Sequence, residues 1–370
     1  MFFVLIARGF DKHIALLNMS YTNWISFVGF YLLVGITTAI AQHEVDPIAV
    51  QFQKDQAYFQ SYEEIHRGKF KTKHVELNYL HWGQPGEKTF IWLPGSFLSA
   101  YDFEPFASAL VDAGYYVVSI DHYGHGLTQI PTTDLSFNDF SDDLNSLMNH
   151  LHIQSAVIGG FSRGAYMATA FYERHPNKVQ KLVLEDGGTV AFKSLFDTFS
   201  PAKFHEFLDG IEPPIEVKEA LFSIYDTKLM AYRHLSEIND GKGDYQYFGI
   251  IKPKDDKWII YHGLDKYMHM ENGTSYKTLL HSPKSTSRYA RSIVELNPGD
   301  ILKNLNVPLL IIEATGETDQ FLTDKENEKL KSEHPDLITY HKFSCDNHNI
   351  HYSCPEIFLQ HLLEFLKDGE

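Results

Sequence analysis

The segment Gly160-Phe161-Ser162-Arg163-Gly164 sets a serine two residues from a glycine on each side, directly after the apolar run Ser155-Ala156-Val157-Ile158-Gly159. If a buried strand hands over to a helix here, Ser162 sits on a sharp turn with its hydroxyl exposed. The glycines then let the backbone approach its neighbours with no Cβ in the way. The helix that follows, Ala165 to Glu173, directs its positive end at any charge that forms there. That is the placement a nucleophile needs. The pentapeptide is also compatible with an ordinary tight turn, so its chemistry depends on what the rest of the chain supplies.

A second group with chemical potential is Cys345, His348, His351 and Cys354, which recur every third residue and include the only 2 cysteines of the chain. As zinc ligands they would offer two sulfurs and two nitrogens, but so short a segment would have to fold back tightly to present all of them. A disulfide between Cys345 and Cys354 suits an exported protein and would tether the turn carrying His348. A pair of free buried thiols is the plain alternative.

These residues need a scaffold, and the chain is long enough to build one. Its 370 residues, 44% hydrophobic, can bury a large core, and 32 basic against 48 acidic residues leave a charge of −16. That acidity argues against nucleic acid or an anionic membrane as partner. Residues 1–41 have the pattern of a leader: Arg8 and Lys12 precede the uncharged stretch Trp24 to Ala41, which ends in Ala39-Ile40-Ala41. Cleavage there implies export to a periplasm or the medium, with no stable membrane partner. The alternative is a retained anchor over residues 24–41, a stretch just long enough to span a bilayer.

Residues 42–73 read as a polar lead-in with Tyr58, Phe59 and Tyr62 packed on the outside of the core. From residue 74 onward, β-like runs alternate with amphipathic ones, the α/β pattern of a mostly parallel sheet covered by helices on both faces. Strands are expected near His74–Trp82, Lys88–Leu93, Tyr115–Ile120, Ser155–Gly159, Lys181–Glu185, Pro308–Glu313 and Leu337–Phe343. Helices are expected over Asp102–Asp112, Phe137–His150, Arg163–Glu173, Thr323–Lys331 and Pro355–Leu366. The alternation breaks over residues 191–305, which are too long for a plain loop and read as an inserted, largely helical lid between core segments 74–190 and 306–370. Its aromatic residues, Tyr225, Tyr232, Tyr245, Tyr247, Phe248, Trp258, Tyr261 and Tyr267, either touch an apolar substrate or form the lid's own small core.

With Ser162 in place, the order of motifs resembles the α/β-hydrolase fold family. Leu93-Pro94-Gly95-Ser96 precedes Tyr101-Asp102-Phe103 where that family usually has His-Gly-x before its first helix, with proline here in place of the histidine. Ser119-Ile120-Asp121-His122-Tyr123-Gly124-His125-Gly126-Leu127-Thr128 is similar to the family's structural Asp-x-x-Gly-His-Gly-x-Ser turn. Gly316-Glu317-Thr318-Asp319 resembles the loop that carries its acid. His348 lies seven residues before the Pro355-Glu356 pair that opens the last helix, which is the family's spacing for its catalytic histidine.

The resemblance implies a serine hydrolase of small-molecule esters or amides, with no metal or cofactor. Ser162 would be the nucleophile, His348 the base and Asp319 the acid that orients it, with the backbone N–H groups of Ser96 and Arg163 forming an oxyanion hole. Glu185 and Asp186, at the end of the strand after the nucleophile helix, are the alternative acids. The Arg163 side chain is expected to form a structural ion pair, the alternative being a grip on an anionic substrate group. His351 is expected to pack on the last helix or line the pocket, His122 and His125 to serve the structural turn, and His81 to lie on a strand surface. Carboxylic ester cleavage is the leading expectation. Peptidases, amidases, lactonases and carbon–carbon bond hydrolases share the same residues, and a catalytically silent binding protein would keep the same fold.

Overall fold

The computed structural model describes residues 46–367, apart from residues 87, 318–320 and 322. The leader residues 1–41 and Asp319 therefore lie outside the described residues. The strands are β1 (Arg67–Lys71), β2 (Glu76–Trp82), β3 (Thr89–Leu93), β4 (Tyr116–Asp121), β5 (Ala156–Phe161), β6 (Val179–Glu185), β7 (Ile224–Tyr225), β8 (Lys252–Lys254), β9 (Lys257–Ile259), β10 (Leu309–Ala314) and β11 (Ile338–Phe343). An eight-stranded sheet runs in the order β1-β2-β4-β3-β5-β6-β10-β11. β1 and β2 pair antiparallel, as do β2 and β4, and every later pairing is parallel.

The central strands β3, β4, β5 and β10 are buried at every position. Parallel strands covered on both faces must be apolar throughout, which is why they read as uninterrupted runs. The covering helices include Glu104–Asp112, Phe137–His150, Arg163–Arg174, Asp324–Glu333 and Pro355–Lys367. Ser136 caps the second of these through a reciprocal pair of hydrogen bonds with Asp139. Because the strands from β4 onward in the sheet order are parallel, their carboxyl ends share one edge. The loops leaving Leu93, Asp121, Phe161, Glu185 and Phe343 bring Ser96, His122, Ser162, Asp186 and His348 to that edge.

The lead-in departs from expectation. Residues Pro47–His66 form a 20-residue helix, started by Asp46 through its Oδ1 and the amides of Ile48 and Ala49, and Arg67–Lys71 adds the edge strand β1. The helix buries Phe52 and Phe59 against Tyr232, Tyr101 and Phe248. It therefore packs on the segment between β6 and β10 as well as on the core.

That intervening segment carries helices Pro201–Asp209, Ile215–Phe222, Lys228–Glu237, Gly273–His281 and Arg288–Glu295, together with a small antiparallel sheet ordered β7-β9-β8. It is fastened to the loops at the sheet edge. The buried Lys252 ammonium donates to the carbonyls of Gly124 and Thr128 at 2.7 and 2.8 Å, and the Tyr289 hydroxyl bonds His122 Nδ1 at 2.7 Å. Desolvation lowers the Lys252 pKa to about 7, opposed by the nearby Asp121.

Candidate active site

Ser162 occupies the turn between β5 and the Arg163–Arg174 helix with φ 52° and ψ −118°, a left-handed φ that non-glycine residues seldom adopt. Its amide donates to the Glu185 carbonyl at 2.9 Å, and its carbonyl accepts from Ala165 at 3.0 Å. A Cβ on Gly164 would lie 1.8 Å from the Leu93 carbonyl oxygen, and one on Gly160 would lie 2.4 Å from the Gly164 backbone. The two glycines are thus required by the close passage of the backbone, and they hold the serine at the strand end.

His348 Nε2 lies 2.9 Å from Ser162 Oγ, and Nδ1 bonds the Asp186 carboxylate through Oδ2. With Nδ1–H donating to Asp186, Nε2 is left to accept the Ser162 hydroxyl proton. Asp186 is itself fixed by the neighbouring strand: its amide donates to the Ile312 carbonyl at 2.8 Å, and its Oδ1 accepts from the Ala314 amide at 3.0 Å. The resemblance implies Asp319 for this role, and that residue lies outside the described residues. Among the described residues the carboxylate bonded to His348 is one of the alternatives, because β6 pairs directly with β10 and the residue following β6 turns, with φ 44°, toward the histidine loop. Glu185, the other alternative, points elsewhere.

The loop that presents His348 is organised by Asp346. Its Oδ1 accepts from the amides of His348 and Asn349 at 2.9 and 3.1 Å, its Oδ2 takes the Ser353 hydroxyl, and its carbonyl accepts from Gly316. Burial raises the Asp346 pKa, but these hydrogen bonds outweigh it and hold the carboxyl below its ordinary range. Cys345 and Cys354 bracket the loop with Cα atoms 6.5 Å apart and are paired as a disulfide. The unfolded, unreduced protein is expected to show no reactive thiol, and reductant is expected to release both. Reactive thiols before reduction would remove the bridge. The zinc arrangement has no support in the geometry, since His348 is turned to Ser162 and His351 to the interior.

His351 has a role that the sequence did not show. Its fully buried ring bonds Glu185 through Nδ1 at 2.7 Å and Asp102 through Nε2 at 3.0 Å, and its amide donates to Glu185 at 2.9 Å. The Trp92 indole donates to the second Asp102 oxygen at 2.8 Å. Burial alone would lower the His351 pKa, but the two carboxylates overcome it and push the ring up to about 10, so it is a buried imidazolium. His122 is the opposite case, buried and neutral, with a pKa lowered to about 3 chiefly by desolvation, and it bonds the Pro94 carbonyl at 3.1 Å. It thereby braces the loop that carries Ser96. Asp121 closes the same turn by accepting from Ala100, Leu127 and Arg67. His81 is only partly exposed at its strand position, where desolvation lowers its pKa.

Ser96, Ser162, Arg163, Asp186 and His348 line one narrow cavity of about 60 Å³. Its apolar wall includes Phe192, Leu195, Met270, Leu279, Ile293 and Phe321. None of the eight aromatic residues singled out in the 191–305 segment lines it, and Tyr225, Tyr232, Tyr247, Phe248 and Tyr261 are buried in the hydrophobic core instead. A wider groove of about 810 Å³, lined by Tyr172, Arg288, Arg291 and Asn304 among others, contains none of the serine-site side chains. Arg163 opens its helix, so its amide is among those with no acceptor inside the helix. The expected ion pair of its side chain is absent among the described residues. The guanidinium bonds Ser96 Oγ through Nε at 2.9 Å and approaches Met270 Sδ at 3.6 Å.

A family model described as "alpha/beta hydrolase fold" matches residues 88–354. Among curated proteins, the chain is 22% identical over 81% of its length to an uncharacterized hydrolase, YugF, from Bacillus subtilis, 97% of which is covered. It is 35% identical over 41% of its length to 2-hydroxy-6-oxononadienedioate/2-hydroxy-6-oxononatrienedioate hydrolase from Paraburkholderia xenovorans, with 53% of that protein covered. It is also 32% identical over 32% of its length to a putative non-heme chloroperoxidase from Synechocystis, 42% of which is covered. Among solved structures, carboxylesterase CesB from Bacillus subtilis superposes with a TM-score of 0.53 at 17% identity, covering 87% of this chain and 99% of that one. At that identity the likeness speaks for the fold alone.

Proposed function

The chain belongs to the α/β-hydrolase fold family, and from that premise we propose that it is a serine hydrolase cleaving carboxylic esters through an acyl-enzyme on Ser162. The observation that carries this reading is the continuous hydrogen-bonded series from the Ser162 hydroxyl through His348 to Asp186. A serine hydroxyl is a weak nucleophile until a base takes its proton. His348 Nε2 removes that proton as Oγ attacks the ester carbonyl, then returns it to the departing alkoxide. The Asp186 carboxylate holds the imidazole in the required tautomer and stabilises the imidazolium while it exists.

The oxyanion that forms on the former carbonyl is assigned to the amides of Arg163 and Ser96, with the positive end of the Arg163–Arg174 helix behind them. Each such donor is worth roughly 3 kcal/mol to the transition state. Water then enters, His348 activates it by the same chemistry, and the acid is released.

The 191–305 segment takes the role of a lid in this proposal. A cavity of about 60 Å³ is well below the roughly 300 Å³ at which ligand pockets begin, so this segment shifts to admit a substrate. Export by way of the 1–41 leader completes the reading. The Paraburkholderia relative favours a second reading, in which the bond cleaved joins two carbons.

Turnover of a panel of p-nitrophenyl acyl esters and aminoacyl p-nitroanilides, with Ser162→Ala as control, tests the proposal. Ester turnover that disappears in the control is expected. Turnover that survives it would remove Ser162 from the mechanism, and cleavage of anilides alone would make the protein a peptidase.

A further inference from the structure

Arg163 is an anomaly among the buried charges of this protein. Its residue is 3% exposed, yet among the described residues no carboxylate lies within ion-pair distance of it. Other buried cations are provided for: Arg67 has Glu63 and Asp121, His351 has Glu185 and Asp102, and Lys252 has two carbonyls.

The Arg163 guanidinium has one good acceptor, Ser96 Oγ at Nε. One terminal nitrogen meets a thioether sulfur at 3.6 Å, a weak acceptor, and the other is buried with no hydrogen-bond partner among the described residues. The face of the Tyr289 ring lies 5.6 Å from the guanidinium carbon. Its electrostatic neighbours are the phenols of Tyr289, Tyr276 and Tyr267. Burying a cation without a counter-ion is unfavourable, and proteins normally avoid it.

The cavity supplies a second unpartnered group. The Tyr276 residue is 1% exposed, lines the same cavity as Ser162 and Arg163, and has a hydroxyl with no hydrogen-bond partner among the described residues. Among the described residues two carboxylates line the cavity, and both are engaged. Asp186 is bonded to His348 and Ala314, while Glu313 accepts from Thr323, Asn327 and Tyr340. Glu271, next in the chain to Met270, accepts from Ser275 through Oε1, has an Oε2 with no hydrogen-bond partner among the described residues, and makes no ion pair with Arg163 there.

We infer that Arg163 and Tyr276 form an anion subsite beside Ser162, and that the substrate presents a free carboxylate to it, so that the natural ester is a half-ester or another carboxylate-bearing ester. This rests on the serine-hydrolase reading and narrows its substrate class. The terminal nitrogens of a guanidinium form a planar fork that matches a carboxylate's two oxygens, and the Tyr276 hydroxyl adds a third donor. Nε bonded to Ser96 fixes the plane of that fork, and Ser96 belongs to the loop assigned to the oxyanion hole. The same contact that orients the anion grip therefore couples it to the reacting carbonyl.

The test compares kcat/KM for the mono-p-nitrophenyl esters of glutaric and adipic acid with their methyl-capped counterparts, spontaneous hydrolysis subtracted. Fluorophosphonate labelling of Ser162 is followed in parallel. The wild type is expected to prefer the anionic ester by about 10- to 100-fold, the range of a charge-assisted hydrogen bond. In Arg163→Gln that preference is expected to vanish, in Arg163→Lys to survive in part, and in Tyr276→Phe to weaken. A wild type whose Ser162 is labelled but which treats the two esters alike, or favours the capped one, overturns the anion subsite and leaves the hydrolase reading standing. Because this comparison uses the unmodified protein, it holds even if a variant does not fold. A wild type that is neither labelled nor active with either ester overturns both.

Discussion

Alanine at Ser162 or at His348 is expected to lower kcat by roughly a million-fold, and Asp186→Asn by roughly ten-thousand-fold, each with the fold intact. The two alanine variants should fall together, because a nucleophile without its base and a base without its nucleophile are equally idle. Asp186→Asn is milder but more diagnostic. An asparagine amide keeps the volume and can keep the Ala314 contact, yet it can donate to Nδ1 and so favours the tautomer whose Nε2 carries a proton and cannot accept one from Ser162. Asp319→Asn is expected to leave turnover within a small factor of the wild type. Steady-state kinetics beside thermal melting checks all four variants. If Asp319→Asn were the crippled variant and Asp186→Asn the tolerant one, the orienting acid would be Asp319.

The second large effect is on stability. His351→Gln is expected to destabilise the protein by about 3–5 kcal/mol, the usual cost of removing one partner from a buried ionic group. Glu185 and Asp102 are both fully buried around this ring, and glutamine would leave them without a cation. The pH dependence follows from linkage. The His351 pKa rises from 6.5 unfolded to about 10 folded. Its contribution is therefore fully present below about pH 6.5 and is lost as pH climbs through about 10. Lys252, with a pKa lowered to about 7, acts in the opposite direction over part of that window, so the wild-type curve alone mixes the two. The difference between wild type and His351→Gln, from denaturant titrations at several pH values, isolates the histidine. It should be largest in mildly acidic buffer and shrink toward pH 10. A difference that is small, or flat with pH, would show that the ring is not charged in the folded protein. Turnover should fall as well, because the Ile350–Ser353 helix that carries His351 directly follows the His348 loop.

How much of this was legible in the sequence depends on how local the determinant is. The parallel strands were readable because a strand buried on both faces has to be apolar throughout. Ser162 was readable because backbone crowding at Leu93 and at the Gly160–Gly164 crossing enforces glycine at fixed spacing around it. His348 was found through its distance from Pro355-Glu356, a feature of one short segment. The acid is a different problem. Asp186 follows β6 and a second carboxylate loop follows β10, and these strands are adjacent in the sheet. Both strands end at the same edge, so the sequence alone does not tell a carboxylate that follows one from a carboxylate that follows the other. The Pro47–His66 helix was missed because it buries few apolar residues, chiefly Phe52 and Phe59, and so has little periodic signal. His351 and Arg163 were beyond the sequence for a shared reason: whether a charge has a counter-ion is decided by residues far away in the chain. In one case Asp102 and Glu185 are present, and in the other no carboxylate arrives among the described residues.

The most direct test of the central claim is to treat the protein with a fluorophosphonate and map the modified residue by mass spectrometry. A single adduct on Ser162, formed rapidly by the wild type and suppressed in His348→Ala, is the result expected of a serine activated by that histidine. Ester turnover by a protein whose Ser162 remains unmodified, or labelling that is indifferent to His348, would contradict it.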